Sequence, residues 1–251
     1  MDTPVLAQLR DLKLGGMAAA LESQQAQLST YDGLSFTERL ALLVDQERLL
    51  RDHRKRDRLV RQAQLKLAAS VADIDYQHQR NINKSQIAQL AQPDWLDRGQ
   101  NLLITGPCGS GKTYLACALG HNACLHGYSV RYYRLSRMML ELTQAKADGS
   151  YRQRLKQLAK VQLLILDDWG LEPLQPAQRH DLLEIMDDRH GQTSTLLISQ
   201  LPTDQWYSSI GDNTLADAIL DRLMHNAHRL NLKGESMRKK QAELTQREHL
   251  S

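Results

Sequence analysis

The chain has 251 residues, of which 41% are apolar and 5% aromatic, and its formal net charge at pH 7 is +3. This length and apolar content suffice for one large or two small packed domains and exclude a globally disordered chain. The small net charge excludes a polycation, so any nucleic-acid surface has to come from local clusters of basic residues.

The cysteine content and the N-terminus indicate the compartment. Cys108, Cys117 and Cys124 form no CxxC pair, and their odd number favours a reducing environment over a disulfide-bonded secreted domain. The first fourteen residues carry no long apolar run behind positive charge, so no signal peptide is predicted. No stretch approaches the length of a membrane span. We therefore expect a cytoplasmic protein without a membrane partner.

Residues 1–70 are predicted to form a small helical domain. Apolar residues recur there at helical spacing, and the sequence SFTERL indicates a helix start with Ser35 or Thr37 as its cap. A basic run at residues 51–66 ends this domain. Such a run forms either a solvated helix face or a phosphate-binding surface. The candidate DNA contacts in it are Arg54, Lys55, Arg56 and Arg58.

Residues 71–100 are predicted to be a linker, and residues 101–251 an α/β core. Short apolar runs alternate with helical stretches in the core. This pattern is typical of a parallel sheet that is covered by helices on both faces. The predicted strands are residues 101–106, 128–135, 161–168, 194–200 and 228–234.

The stretch GPCGSGKT, residues 106–113, matches the phosphate-loop pattern G-x-x-x-x-G-K-[ST] in full and lies between a predicted strand and a predicted helix. Its glycines allow a tight turn that aims backbone N–H groups at phosphate oxygens. Lys112 is predicted to reach the β- and γ-phosphates, and Thr113 to bind Mg²⁺ through its hydroxyl. An ordinary glycine-rich turn is the alternative. The predicted nucleotide-binding residues are Gly106, Gly109, Ser110, Gly111, Lys112 and Thr113.

Two aspartates follow the buried run LLIL. Asp167 needs a partner to stay charged at the end of a buried strand, and a hydrated Mg²⁺ is such a partner. Asp168 can polarise the attacking water. It is one methylene shorter than the Glu that many ATPases carry at this place, so the strength of hydrolysis stays open. The alternative is that both residues only cap the turn that follows.

Ser199 and Gln200 end the next predicted strand, where they either hold the attacking water and report the γ-phosphate or simply begin a polar loop. Farther along, Arg222 lies late in a predicted amphipathic helix and Arg238 follows the last predicted strand. Two such arginines suit two tasks, one on the γ-phosphate of a neighbouring subunit and one on the subunit's own nucleotide. A surface ion pair, such as one between Asp221 and Arg222, is the plainer interpretation.

The stretches GPCGSGKTYLACALG, LLILDDWG and ILDRLMHNAHRLNLKGESMR together resemble the IstB-type transposition helper ATPases of bacterial insertion sequences. These proteins are relatives of the DnaC helicase loader and, more distantly, of the DnaA initiator. The resemblance covers essentially the whole chain. It implies the α/β fold of AAA+ ATPases: an αβα core with a parallel sheet, a small helical N-terminal domain in front of it, and no separate C-terminal lid domain.

The resemblance also implies roles by position. Lys112 and Thr113 match the Walker A residues, Asp167 and Asp168 the Walker B residues, and Ser199–Gln200 the sensor I region. Arg222 matches the arginine finger, and Arg238 matches sensor II.

The implied activity is assembly on duplex DNA in the presence of ATP and Mg²⁺, as a ring or helical homo-oligomer, followed by recruitment and stimulation of a partner transposase. Such an assembly needs a surface that faces DNA, with contacts mostly to phosphates. Besides the N-terminal cluster, a basic segment ahead of the Walker B strand is a candidate. Its residues are Arg152, Arg154, Lys156 and Lys160.

Three other functions stay open. A helicase loader of the DnaC type would prefer single-stranded DNA and grip a helicase ring. A small-molecule P-loop kinase would act as a monomer and would not need Arg222. An ATP-gated scaffold would hardly hydrolyse its nucleotide.

Overall fold

A computed structural model describes residues 4–77 and 80–234, which divide into two compact units between Arg58 and Leu59. The boundary falls inside one long helix. The prediction of a domain over residues 1–70 with a linker over residues 71–100 stays a prediction, and each unit is described below by itself.

The first unit is helical. Its elements are α1 (Pro4–Asp11), α2 (Gly15–Ala26), α3 (Leu28–Tyr31) and α4 (Phe36–Ala63), the last of which continues beyond Arg58. Ser35 caps α4, because the backbone N–H of Glu38 donates to Ser35 Oγ at 3.4 Å and the Glu38 carboxylate accepts from the Ser35 N–H at 2.8 Å. Of the two caps that the sequence SFTERL suggested, Ser35 is thus the one that the structure shows.

The helices of this unit pack closely at Gly16. A Cβ on this residue would lie 2.6 Å from the Cα of Glu47, so only glycine lets α2 and α4 approach this far. The buried carboxylate of Glu47 accepts the N–H of Gly16 at 2.7 Å and the Nε–H of Arg51 at 2.6 Å. These bonds satisfy a free N–H group at the start of α2 and hold the two helices together.

The second unit begins at Leu59 and contains the α/β core. A 3₁₀ turn (Val71–Asp73) and two helices, α5 (Lys84–Ala91) and α6 (Asp94–Asp97), precede the first strand. The next elements are β1 (Asn101–Thr105), α7 (Lys112–Leu125), β2 (Val130–Arg134), α8 (Leu135–Asp148), α9 (Tyr151–Lys160) and β3 (Leu163–Trp169). The last are α10 (Pro176–Arg189), β4 (Ser194–Ser199), a 3₁₀ turn (Thr203–Gln205), α11 (Trp206–Ile210), α12 (Asn213–Met224) and β5 (Ala227–Asn231).

The strands form one parallel sheet in the order β2-β3-β4-β1-β5. Alternate residues of β1 face two different apolar clusters: Leu102 and Ile104 pack with α7, and Leu103 packs with residues of α8, α10 and α12. Burial on both faces explains why the strands read as continuous apolar runs. The predicted α/β fold with a parallel sheet is therefore confirmed.

The segment ahead of β1 takes part in this core. Ile87, Leu90 and Trp95 are buried and belong to the same apolar cluster as α7. The indole N–H of Trp95 donates to the carbonyl of Leu90 at 2.9 Å. Residues 71–100 thus include packed structure as well as connections. No helix within 4–77 or 80–234 is long and apolar enough to cross a bilayer.

The parallel register brings the carboxyl ends of the strands together. Thr105 at the end of β1 is opposite Ser199 on one side and Asn231 on the other, and Arg134 at the end of β2 is opposite Asp167. Ligands of open parallel sheets bind outside this edge, because the loops that leave it enclose a crevice.

Candidate nucleotide site

The phosphate loop connects β1 to α7 at this edge of the sheet. Its backbone needs glycine: φ is +145° at Gly106 and +92° at Gly111. A Cβ on Gly106 would lie 2.4 Å from the carbonyl oxygen of Leu232, so a larger residue would displace the chain behind the loop. The loop is therefore shaped by a close backbone contact as well as by its own turn. Gly109 also has a positive φ, +79°.

Lys112 begins α7 and is buried under the loop. Its ammonium donates to the carbonyl oxygens of Gly106 at 2.7 Å and Pro107 at 2.8 Å. Ser110 is fully buried, and its hydroxyl has no hydrogen-bond partner within the described part of the chain. The loop thus encloses a cation and a polar group next to the start of a helix, which is the arrangement that binds phosphate.

Asp167 is the centre of the hydrogen-bond network at the end of β3. Its side chain is 4% exposed, and Oδ2 accepts the Tyr132 hydroxyl at 2.6 Å and the Thr113 hydroxyl at 3.0 Å. The other oxygen, Oδ1, accepts the N–H of Asp168 at 2.8 Å. The ammonium of Lys66 lies 3.6 Å from Oδ2. A buried carboxylate with these partners is held in one orientation beside the loop.

The charge of Asp167 also affects Tyr132. Burial raises the pKa of the Tyr132 phenol, and the hydrogen bond to Asp167 raises this pKa further. The phenol therefore stays protonated and donates to the carboxylate throughout the physiological range.

The oxygens of Thr113 and Asp167 fit a magnesium ion. They lie 3.0 Å apart at the exit of the phosphate loop, and both are hard oxygen donors. Mg²⁺ binds through one or two protein oxygens together with water and substrate phosphates, so a larger protein ligand set is not needed. The part of the chain that the structure describes holds no cluster of three or more His, Cys, Asp or Glu residues that suits a metal ion, which excludes there a fully protein-coordinated site of that composition.

Asp168 projects from a bulge in β3. The pairing with β4 is irregular between Leu166 and Trp169, and Asp168 has φ +62°, in the left-handed region where aspartate is better tolerated than most residues. The guanidinium of Arg134 lies 2.9 Å from Asp168 Oδ2. The bulge turns Asp168 out of the buried row that holds Asp167, and the side chain is 21% exposed.

Ser199 and Gln200 differ in their surroundings. The Ser199 hydroxyl is buried, donates to the carbonyl of Trp169 at 2.7 Å and accepts the N–H of Leu201 at 3.1 Å. Gln200 is exposed. Ser199 thus stabilises the ends of β3 and β4, and Gln200 is the one of the two with an accessible side chain.

The backbone of Arg222 lies at the amino end of β1, away from the phosphate loop. Asn101 begins β1 and donates from its side chain to the carbonyl of Arg222 at 3.2 Å, whereas the phosphate loop follows the far end of the same strand. Five strand residues span roughly 13 Å. The Arg222 Nε–H donates to Asp187 at 2.7 Å, so its ion-pair partner is Asp187 and not Asp221. Arg238 lies outside the described residues.

The predicted DNA contacts are surface residues in both units. Arg54, Lys55, Arg56 and Arg58 are exposed on α4, and Arg152, Arg154, Lys156 and Lys160 are exposed on α9. Helix α9 contains no acidic residue, and none of its four cations forms an ion pair within the described ranges. The side chains of α9 that face the core are Leu155 and Leu158.

Three charged or polar residues of the site were missed by the sequence reasoning: Arg80, Tyr132 and Arg134. Tyr132 and Arg134 belong to a predicted strand. Side chains of a strand alternate between its two faces, and this alternation along β2, next to the strand of Asp167, could have indicated both residues. Arg80 carried no such signal, because it lies in an irregular segment that only the tertiary fold brings to the loop.

The chain matches known proteins over most of its length. The model of the family described as "IstB-like ATP binding protein" matches residues 7–245. The chain is similar to y4pL of Sinorhizobium fredii (strain NBRC 101917 / NGR234), described as an insertion-sequence ATP-binding protein, with 47% identity over 238 residues that cover 95% of this chain and 97% of that one.

Solved structures share the fold. The DnaC helicase loader superposes with a TM-score of 0.53 at 20% identity, covering 66% of this chain and 97% of that chain. AMPPCP-bound DnaA from Aquifex aeolicus superposes with a TM-score of 0.58 at 17% identity, covering 74% of this chain and 56% of that chain. At these identities the likeness concerns the fold, which is that of the AAA+ proteins.

Proposed function

The chain belongs to the family of IstB-like ATP binding proteins and is an ATPase of AAA+ fold, and on this premise we propose that it assembles on duplex DNA with ATP and Mg²⁺ and recruits and stimulates the transposase of its insertion sequence. The observation that carries the proposal is the position of Arg222. The phosphate loop and Arg222 lie at opposite ends of β1. Arg222 is therefore proposed to act on the nucleotide of a neighbouring subunit and not on that of its own subunit.

Nucleotide binding uses the loop and the start of α7. The backbone N–H groups of the loop and the ammonium of Lys112 bind the phosphates, and Lys112 exchanges its two loop carbonyls for phosphate oxygens. Thr113 and Asp167 hold Mg²⁺, which neutralises charge on the β- and γ-phosphates when it is bound. Tyr132 keeps Asp167 in place for this contact.

Hydrolysis needs a base and a cation at the γ-phosphate. Asp168 accepts the proton of the attacking water once Arg134 releases its carboxylate. Arg222 of a neighbouring subunit leaves Asp187 and stabilises the charge that develops on the phosphoryl group. Hydrolysis thus depends on assembly. We expect ADP to weaken the contact between subunits, because the γ-phosphate that Arg222 would bind is then missing.

The DNA surface is proposed to include α9. Four exposed cations on one helix that itself contains no acidic residue suit contacts to phosphates, which are independent of base sequence. The cluster on α4 is the second candidate. Transposition rather than helicase loading is favoured by relatives that are described as insertion-sequence proteins and match nearly their whole length, whereas the DnaC likeness is one of fold.

The test of this function is complementation between two inactive variants. Arg222→Ala keeps the nucleotide site and loses the finger, and Lys112→Ala loses nucleotide binding and keeps the finger. ATP hydrolysis is measured for each variant and for their mixture, with and without duplex DNA, across protein concentrations at one stated salt concentration. We expect each variant alone to be inactive and the mixture to regain activity on duplex DNA, because mixed contacts contain one intact half from each variant.

Asp187→Ala is the matched control, because it removes the same ion pair as Arg222→Ala but keeps the arginine. It should retain hydrolysis. A mixture that stays inactive, or a rate per molecule that is independent of concentration, DNA and Arg222, would refute the shared site. Recruitment is then tested by adding the transposase encoded by the same element to duplex DNA that carries the ATP-bound protein. Preferential binding to single-stranded DNA would favour a helicase loader.

A further inference from the structure

Arg80 is a buried cation beside the phosphate loop. The residue is only 7% exposed, and its Nη1 lies 3.5 Å from the carbonyl oxygen of Ser110. A Cβ on Gly111 would lie 2.7 Å from the same nitrogen, which places the guanidinium directly against the loop at the start of α7. Its other terminal nitrogen donates to the carbonyl of Asp75. The side chain is thus held at the loop from the irregular segment ahead of α5.

Among the described residues, no acidic side chain pairs with this guanidinium. Within residues 4–77 and 80–234 no carboxylate forms an ion pair with Arg80, and its Nε–H has no hydrogen-bond partner. The buried hydroxyl of Ser110, the residue that Nη1 approaches, also lacks a partner in the described part of the chain. A buried cation without a counter-charge is strongly unfavourable. An anion bound in the loop would supply both the missing charge and the missing acceptors.

We propose that Arg80 binds the α- and β-phosphates of the nucleotide and thereby retains ADP as well as ATP. The inference rests on the nucleotide site of the proposed function. The backbone of a phosphate loop cradles the α- and β-phosphates, whereas Lys112 and the pair Thr113–Asp167 serve the β- and γ-phosphates. Arg80 contacts the loop at Ser110 and Gly111, on the backbone that forms the cradle.

This assignment separates Arg80 from the arginine of the neighbouring subunit. A cation at the γ-phosphate distinguishes ATP from ADP, and a cation at the α- and β-phosphates does not. Arg80 therefore sets how tightly both nucleotides are held, and the discrimination between them is left to Lys112, the metal site and Arg222. A purely structural role, in which Arg80 only ties Asp75 to Ser110, predicts lower stability without nucleotide.

The experiment is a titration of the full chain with fluorescent mant-ATP and mant-ADP, together with thermal unfolding without nucleotide. The variants are Arg80→Gln and Arg80→Lys. The control is Arg131→Gln, because Arg131 also donates to a backbone carbonyl but does so away from the loop, at Gln62. We expect Arg80→Gln to weaken both nucleotides about tenfold to hundredfold, the range for a hydrogen bond to a charged group. The ratio of the two affinities should stay within about twofold.

Arg80→Lys keeps the charge and should lose less affinity than Arg80→Gln. Unchanged affinity in a folded Arg80→Gln, or a loss confined to mant-ATP, would overturn the proposal. A loss of affinity that merely follows a lower unfolding temperature and is equally large in Arg80→Lys would assign Arg80 a structural role. If Arg80→Gln does not fold, Arg80→Met replaces it in the same titration. Failure of the wild-type chain to bind either nucleotide would instead refute the nucleotide site and with it the proposed function.

Discussion

Arg134 and Asp168 form an ion pair where β2 and β3 end, with the arginine Nε 2.9 Å from the carboxylate Oδ2. The carboxylate that we propose as the proton acceptor for the attacking water is therefore paired with a cation. The Arg134 side chain is 58% exposed, so the pair is weak and can open when the surroundings change. If Asp168 acts in hydrolysis as proposed, this pair restrains hydrolysis in the isolated chain.

Removing this restraint should raise basal hydrolysis. We expect Arg134→Ala to increase ATP hydrolysis without DNA by up to about fivefold, because an exposed ion pair contributes about 0 to 1 kcal/mol. The steady-state rate at saturating ATP is the measurement. Arg137→Ala is the control, since Arg137 is another exposed arginine, and it pairs with Glu141 instead. A slower Arg134→Ala enzyme would mean that Arg134 assists the reaction.

Asp168 should be needed for hydrolysis but not for the fold. Asparagine tolerates the φ of +62° at this position at least as well as aspartate, but it cannot take up a proton. Asp168→Asn is therefore expected to bind mant-ATP with an affinity within about twofold of wild type and to hydrolyse ATP at least about a hundredfold more slowly. Retained hydrolysis in this variant would show that another group activates the water.

The hydrogen bond between Tyr132 and Asp167 should make the effect of Tyr132→Phe on the unfolding free energy depend on pH. At pH 8 we expect a loss of about 2 kcal/mol of unfolding free energy, the magnitude of a buried hydrogen bond to a charged group. Burial and this bond raise the pKa of Tyr132 in the folded chain, whereas the unfolded phenol titrates near pH 10.

The sign of this effect follows from the retained proton. Above about pH 10 the unfolded chain releases the proton that the folded chain keeps, so the stabilisation is complete below that pH and declines above it, by up to about 1.4 kcal/mol per pH unit. The difference between wild type and Tyr132→Phe should therefore be smaller at pH 11 than at pH 8. Urea denaturation followed by tryptophan fluorescence measures both values. A difference that is independent of pH would contradict the assignment.

The basic face of α9 should contribute to the salt dependence of DNA binding. We expect the double variant Arg154→Gln, Lys156→Gln to bind duplexes of any sequence more weakly, with a slope of log K against log salt that is shallower by about 2. The control pair is Lys84→Gln, Arg98→Gln, two exposed cations outside the predicted clusters. An unchanged slope in the α9 variant would leave the cluster on α4 as the DNA surface.

The fold was predictable because its signals are local. Continuous apolar runs predicted each strand to within a few residues, and the helix predicted after the phosphate loop is α7 (Lys112–Leu125). The contacts of Asp167 were harder to predict from the sequence. Tyr132 is 35 residues away in sequence and reaches the carboxylate only through the parallel register of β2 and β3.

The contacts of the phosphate loop and of Arg222 were also not predictable from the sequence. Arg80 joins the phosphate loop from a segment without regular periodicity, and the partner of Arg222 is Asp187, which no spacing rule connects with it. Such contacts depend on how helices and loops pack on the sheet. A sequence pattern reports the geometry within an element, but it does not report which side chains of distant elements meet.

The placement of the phosphate loop and Arg222 at opposite ends of β1 gives the subunit a direction. If the arginine of one subunit completes the nucleotide site of the next in a head-to-tail contact, repeated addition of subunits gives a closed ring or an open chain. An open chain of n subunits then contains n − 1 completed sites and one idle nucleotide at its end. Hydrolysis per subunit would rise with the length of the chain of subunits and would be lowest for the shortest oligomers. The hydrolysis rate per subunit would therefore increase with the length of DNA that is covered.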